Sequence, residues 1–149
     1  MEILPAGIAA GSDDTVDTVM VVGEPARMLV KLRQSGNTDT MLSSCVATTG
    51  SPSGNRAYYD LTDHLGCAVD KDILPDFRVS FNSKTETKVL ASDFPAFKFP
   101  DADVVSVKCS VLVCQTNCPI SKCGHRKVSK MQGFGCCSRK LDIGGAVTK

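Results

Sequence analysis

Eight cysteines give this chain its clearest capacity for chemistry. Four of them form a tight series in which Cys109, Cys114, Cys118 and Cys123 are separated by four, three and four residues. A structural zinc site needs four thiolate or imidazole ligands, usually supplied as C-x2-4-C pairs, and His125 is the histidine placed to add a nitrogen. Disulfide bonds in an oxidising compartment are the competing use of an even number of cysteines, which here also include Cys45, Cys67, Cys136 and Cys137.

The spacing favours disulfides over zinc. Intervals of four, three and four residues are loose for metal-binding knuckles. Cys109 also belongs to an alternating run, so we expect its sulfur to point into an apolar core with Val105, Val107, Val111 and Val113. We therefore predict no metal site and no cofactor. The alternative, a zinc-binding intracellular adaptor, would show stoichiometric zinc and titratable thiols.

Acid–base catalysis is the second chemistry to consider, because His64 lies near Asp60 and Asp63. Nothing completes a catalytic site around them: the sequence lacks a G-x-S-x-G motif, paired histidines and a phosphate-binding glycine loop. A Cys–His pair would need a reduced nucleophile, whereas the cysteines are expected to be structural. We predict that His64 lies in a surface turn, that there are no catalytic residues, and that the protein is not an enzyme.

Charge and hydropathy exclude further classes of function. Seventeen Lys and Arg against sixteen Asp and Glu give a net charge of +1, without the basic stripe that nucleic acid binding requires. No apolar run reaches the length of about 18 residues that a membrane span needs. The apolar stretch 3–10 follows Met1 and Glu2 rather than a basic residue, so it does not resemble a secretory signal. We expect a secreted form to be part of a longer precursor.

The elements that position the cysteines are predicted to be strands. Apolar and polar residues alternate with a period of two in several short runs, and Gly, Pro and Asn separate them. Short helices at 61–65 and 70–74 are only weakly indicated. Many short strands with almost no helix predict an all-β sandwich, with strands at 18–22, 27–32, 41–48, 58–61, 77–82 and 104–114.

Three segments resemble the C-terminal half of a zona pellucida (ZP) module. They are VVGEPARMLVKL, SSCVATTGSPSGNRAYYDLTDHLGCAVD and FPAFKFPDADVVSVKCSVLVCQTNCPISKC. The shared motifs are a strand cysteine, an aromatic–Leu pair before Gly66-Cys67, a Phe-x-Phe-Pro-Asp turn and a cysteine-dense end. The three segments are closest in style to the invertebrate members of the family, which occur in cuticles and other apical matrices. The resemblance implies an immunoglobulin-like sandwich stapled by three disulfides.

The resemblance also implies limits for this half, called ZP-C. We expect the immunoglobulin-like domain at 17–123, a linker or partial preceding segment at 1–16, and a basic, glycine-containing tail at 124–149. The family releases its mature protein by proteolysis after this half. Two dibasic pairs could mark that site, although a solvated tail explains them equally well: Arg126 with Lys127, and Arg139 with Lys140.

The expected disulfides follow from the same resemblance. Six cysteines allow fifteen pairings and eight allow 105, so spacing alone does not choose. The related halves pair the first cysteine with the third, the second with the last, and close a small inner loop. This implies Cys45–Cys109, as a bridge across the sandwich, with Cys67–Cys123 and Cys114–Cys118. Cys136 and Cys137 depart from this pattern. They either form an extra or intermolecular disulfide, or they pair with Cys114 and Cys118 and so replace the small loop.

The function implied is that of a structural protein of an apical extracellular matrix. Its partners would be other ZP-module proteins or further copies of itself. In a complete module the N-terminal half drives polymerisation, while the C-terminal half holds the precursor incompetent for assembly and later joins the filament. The alternative is an immunoglobulin-like recognition module of a receptor or ligand. The sequence that precedes residue 1 in the full gene product would separate the two.

Overall fold

The computed structural model describes residues 1–6, 18–34, 36–49, 57–100, 102–118, 123 and 137–148. These residues form nine strands and no helix. The stretches 61–65 and 70–74, weakly indicated as helical, form turns and bends, with an isolated bridge between Thr62 and Ala68. The strands are β1 (Glu2–Pro5), β2 (Thr18–Val19), β3 (Pro25–Arg33), β4 (Asp39–Thr49), β5 (Tyr58–Asp60), β6 (Arg78–Asn82), β7 (Thr87–Pro95), β8 (Val104–Cys114) and β9 (Cys137–Thr148).

The nine strands form two sheets. Sheet 1 has the order β1-β3-β7-β6, and sheet 2 has the order β2-β9-β8-β4-β5. All pairs are antiparallel except β2 with β9. Sheet 1 matches the A-B-E-D sheet of an immunoglobulin domain, and β9-β8-β4-β5 matches its G-F-C-C′ sheet. The predicted all-β, immunoglobulin-like sandwich is confirmed.

The core lies between the two sheets and is built by alternation along the strands. On β3, Met28 and Val30 are completely buried while Lys31 and Arg33 are exposed. Burying such side chains stabilises the fold by about 1.5–3 kcal/mol each. The alternation predicted on the long strand β8 is confirmed for Val105, Val107, Cys109 and Val111, which are buried. It is wrong for Val113, which is only half-buried and lies next to the register shift at Cys114.

The apolar–polar alternation at 77–82 is typical of a half-buried strand, and this expectation is wrong about burial. β6 forms, but all five of its residues are exposed. Val79 is 61% exposed and Phe81 is 55% exposed. Phe77 precedes the strand and packs partly against the core. Alternation identifies a strand and its apolar face, but it does not show whether another layer covers that face, and β6 lies at the edge of sheet 1.

Two strands come from the segments that flank the predicted domain. β1 pairs with β3, although it lies in the stretch expected to be a linker. β9 pairs with β8 from Val104 to Cys114, although it lies in the stretch expected to be a basic tail. Each depends on a partner far along the chain, and neither segment shows the alternation that reveals a strand locally. The limits 17–123 stay a prediction, with two strands added to the sandwich from outside them.

Candidate functional site

The first disulfide joins neighbouring strands within sheet 2. Cys45 on β4 and Cys109 on β8 are direct cross-strand partners with Cα atoms 4.0 Å apart, and both are completely buried. The expectation that this bond crosses the sandwich is therefore wrong, because its two strands belong to the same sheet. The space between the sheets is filled instead by side chains such as Met28 and Val30 of sheet 1. The bond fixes the register of the two long central strands.

A buried threonine supports β4 next to this bond. The register of β4 against β8 shifts between Leu42 and Cys45, which marks a bulge. The Thr62 hydroxyl accepts a hydrogen bond from the Cys45 amide at 2.7 Å and donates one to the Ser43 carbonyl at 3.0 Å. Thr62 is 2% exposed, so water does not substitute for these bonds. One side chain thus satisfies two backbone groups at the bulge.

The second disulfide, Cys67–Cys123, ties the turn after β5 to the chain beyond β8, with Cα atoms 5.4 Å apart. The turn is organised by Asp63, whose Oδ1 accepts hydrogen bonds from the amides of Leu65 at 2.9 Å and Cys67 at 3.0 Å. Such an Asx turn fixes the backbone locally. The position of Cys67 is therefore fixed by the Asp63 carboxylate as well as by its bond to Cys123.

The third disulfide, Cys114–Cys118, closes a small loop at the end of β8. Both cysteines are buried, and together with Met41 they form a small cluster apart from the main core. The backbone amide of Cys118 donates a hydrogen bond to Asp39 Oδ2 at 2.9 Å. The loop is thus anchored to the start of β4 by a carboxylate as well as to β8 by sulfur.

Asp39 joins three parts of the molecule. Besides Cys118, its carboxylate accepts hydrogen bonds from Gln34 and from the Thr40 amide, and it forms an ion pair with Lys88 of sheet 1. The Asp39 and Lys88 side chains are 21% and 20% exposed. Burial acts to raise the pKa of Asp39, but the hydrogen bonds from Lys88, Cys118 and Thr40 and the positive charge of Lys88 outweigh it and hold the pKa below its ordinary value.

These features surround one groove, which we call the disulfide groove. It has a volume of about 300 Å³ and is lined by residues of both sheets and by one cysteine from each of the second and third disulfides. The lining includes Asp39, Leu65, Val79, Leu90, Cys118 and Cys123. Its walls are mostly apolar side chains, with the Asp39–Lys88 ion pair as the charged element. It therefore suits contact with protein better than acid–base chemistry.

A second charged group lies on the outer face of sheet 1. Asp93 on β7 accepts hydrogen bonds from Arg27 on β3 and from Arg78 on β6. These bonds hold the pKa of Asp93 below its ordinary value, and the bond from Arg27 has the largest effect. The triad links three adjacent strands and neutralises part of the positive charge of this face.

The six cysteines of the predicted disulfides are bonded in the pairs that the resemblance implies, Cys45–Cys109, Cys67–Cys123 and Cys114–Cys118. The four cysteines of the tight series are thus distributed over three bonds and do not converge on a single point, as a zinc site would require. His64 is exposed in a turn, as predicted.

Other predicted site residues are only partly described. Cys136, Arg126, Lys127 and the alternative zinc ligand His125 lie outside the described residues. The backbone of Cys137 pairs with that of Cys114, and the backbones of Arg139 and Lys140 pair with those of Val113 and Leu112. The structure describes only the backbone of these three residues.

Sequence reasoning missed Asp39 and Thr62. Neither belongs to a motif, and each stands among ordinary polar residues of a strand end or a turn. Their roles arise from partners 79 and 17 residues away in the chain. The cysteines were detectable because their chemistry is rare, whereas a carboxylate or hydroxyl acquires its role only from its neighbours.

An immunoglobulin-like sandwich with three disulfides is typical of extracellular modules. The ZP-C domain model of the zona pellucida family matches residues 10–124. The chain therefore belongs to the zona pellucida family and contains the C-terminal half of a ZP module. Modules of this family are structural and mediate polymerisation. A comparison with curated proteins finds no match. Among the described residues, no helix is long and apolar enough to cross a membrane.

Proposed function

We propose that this chain is a structural component of an apical extracellular matrix and acts by protein–protein contact rather than catalysis. The observation that supports this best is the ZP-C match over residues 10–124, because this span includes all six cysteines of the three disulfides. Its partners would be other ZP-module proteins or further copies of itself. A cuticle-like matrix fits the resemblance to invertebrate members.

The disulfide arrangement supports a load-bearing role. One bond locks the two central strands of sheet 2, and the other two close the end that carries the disulfide groove. A small domain bonded in this way resists unfolding outside the cell. We therefore regard the sandwich as the rigid unit of the assembly, with the groove and the sheet edges as its contact surfaces.

We further propose that the segment after Cys123 is the processed part of the precursor. β9 covers β8 along its whole length, from Val104 to Cys114. Cleavage after Lys127 would separate β9 from the sandwich, and cleavage after Lys140 would divide it. Loss of β9 would expose the backbone edge of a long strand, which is a ready surface for pairing with another chain. Covering that edge is a physical way to hold a precursor incompetent for assembly.

The test is secretion of a complete ZP module that ends with this sequence, compared with residues 1–149 alone. We expect filaments by electron microscopy only from the processed complete module. Replacing Arg126 and Lys127, or Arg139 and Lys140, with alanine in separate variants would identify the pair that is cleaved, by mass spectrometry. Long regular fibres from residues 1–149 alone would overturn the division of roles, and a processed module that neither polymerises nor binds another ZP module would overturn the matrix function.

A further inference from the structure

β6 is the longest edge strand in the described part of the molecule. The four edge strands are β1, β2, β5 and β6. β1 has four residues and ends in Pro5, β2 has two and β5 has three, whereas β6 has five residues and no proline. Natural edges are usually blocked by proline, inward charges, bulges or short length, because an unpaired edge binds further strands. β6 carries none of these protections on its apolar face.

The side chains of β6 divide cleanly between its two faces. Val79 lines the disulfide groove, and Phe81 lies on the same face by alternation. They are 61% and 55% exposed, which is unusual for adjacent large apolar positions of one strand. The opposite face carries Arg78, Ser80 and Asn82. The strand therefore offers a free backbone edge together with a short apolar row.

We propose that β6 pairs with β6 of a second copy of this chain, antiparallel and about a two-fold axis through Ser80. A two-fold axis perpendicular to the sheet brings together residues of the same face, so the pairing is residue-centred. Centring it on Ser80, the middle residue, pairs all five positions. Val79 then lies opposite Phe81 of the second copy, and Phe81 opposite its Val79, so that each apolar side chain covers another.

Other centres fit less well. An axis through Val79 requires Phe77 as a partner for Phe81, but Phe77 precedes β6 and packs partly against the core. An axis through Phe81 requires Ser83, which lies in the turn after the strand. The length of β6 thus selects one register.

The charges agree with this register. Arg78 is the one charged residue of β6, it already interacts with Asp93, and its partner across the axis is the neutral Asn82. The two copies of Arg78 would lie about 14 Å apart, beyond the Debye length of about 8 Å at physiological salt.

The resulting dimer is closed. An interface that uses the same strand on both copies is isologous, so it joins two chains and does not propagate into a fibre. Sheet 1 would become continuous across the two copies, with the two disulfide grooves on the same side. The inference concerns residues 1–149 in isolation and holds or fails independently of the proposed matrix function.

Sedimentation equilibrium of residues 1–149 over a range of concentrations tests the association. We expect a reversible monomer–dimer equilibrium. Val79→Lys places two lysines against the apolar row and should raise the dissociation constant by more than about tenfold. Val21→Lys is the matched control, because Val21 is 64% exposed and lies outside β6. A chain that stays monomeric, or equal weakening by both variants, would overturn the proposal.

Cysteine cross-linking tests the register without relying on a disruptive variant. Ser80→Cys places a cysteine on the axis, where cross-strand Cα atoms lie about 4.5–5.5 Å apart, within reach of a disulfide. Mild oxidation should join residue 80 of one copy to residue 80 of the other, as identified by peptide mapping. Asn82→Cys should not cross-link to itself, since its two copies lie about 14 Å apart. A dimer that cross-links equally at both positions, or at neither, would overturn the register.

Discussion

Gly66 lies directly against the backbone of Leu42, so close that a Cβ atom added to Gly66 would sit 2.6 Å from the Leu42 carbonyl oxygen. Gly66 also has a φ of +77°, in the left-handed region that other residues adopt only at a cost. Both requirements occur one residue before Cys67, where the chain must turn to present the cysteine that bonds Cys123. The turn and the second disulfide therefore depend on the same glycine.

Replacing Gly66 with alanine should destabilise the protein by about 2–5 kcal/mol. The left-handed backbone contributes about 1–2 kcal/mol and the contact with Leu42 contributes the rest. The control is Gly36→Ala, because Gly36 has a φ of +62° but no atom within 4 Å of an added Cβ. It should lose only the backbone part. Urea denaturation of the oxidised proteins measures both, and equal losses would show that the Leu42 contact has no energetic role.

Removing the hydroxyl of Thr62 should cost about 2 kcal/mol or more. Thr62→Val keeps the shape of the side chain but leaves the Cys45 amide and the Ser43 carbonyl without their partner in a site that is closed to water. Thr62→Ser keeps the hydroxyl and loses one methyl group, worth about 0.8 kcal/mol. Chemical denaturation should therefore rank the valine variant below the serine variant. The opposite order would contradict the assigned role of the hydroxyl.

The three disulfides should differ in their contributions to stability. The chain-entropy estimate gives about 4 kcal/mol for the bond Cys45–Cys109 and about 2 kcal/mol for Cys114–Cys118, because their cysteines are 64 and 4 residues apart. Since domains are stable by only about 5–15 kcal/mol, full reduction should bring this one close to unfolding. Melting temperatures of the two double-alanine variants measure the difference.

Two results would contradict this account of the disulfides. One is a melting temperature that excess reductant leaves unchanged. The other is a Cys45–Cys67 link, found by peptide mapping without reduction, because it would replace two of the bonds at once.

The fold was predictable where one strand carries its own signal. The alternation on β3 and β8 identifies both strands and their buried faces, since a period of two places alternate side chains on one face. β9 carries no such signal, and it is a strand because β8 offers it a hydrogen-bonding edge. Similarly, the exposure of Val79 is set by what lies opposite β6 and not by the sequence of β6.

The site was predictable only in part for the same reason. Cysteines have few uses in such a chain, so Cys45 and Cys109 could be recognised as candidates for a bond. That the bond lies within sheet 2 depends on which sheet contains β4, and this is decided by the packing of the whole domain. Asp39 became part of the site because Lys88 and Cys118 converge on it from distant parts of the chain.

The carboxylate of Asp39 should make stability depend on pH in the acid range. Its pKa in the folded protein is below the value of about 3.9 expected in the unfolded chain, because hydrogen bonds and the charge of Lys88 favour the ionised form over the opposing effect of burial. A lowered folded pKa contributes stability that is present above the unfolded pKa and is lost as the pH falls through the folded pKa. The contribution of Asp39 to the free energy of unfolding should therefore be constant above about pH 5 and decline below about pH 4.

Asp39→Asn isolates this contribution. At pH 7 the variant should lose about 2 kcal/mol, because the Lys88 ammonium, only 20% exposed, is left without its ionic partner and the Cys118 amide loses a charged acceptor. Its loss relative to the natural protein should shrink as the pH falls through the folded pKa of the carboxylate, because the natural side chain then loses its own charge. Asp72→Asn removes the same charge from an exposed turn and should leave the stability at pH 7 unchanged. Urea denaturation from pH 2 to 7 compares the three proteins. A difference between the natural protein and Asp39→Asn that stays constant over that range would show that the ionised form of Asp39 does not anchor the Cys114–Cys118 loop.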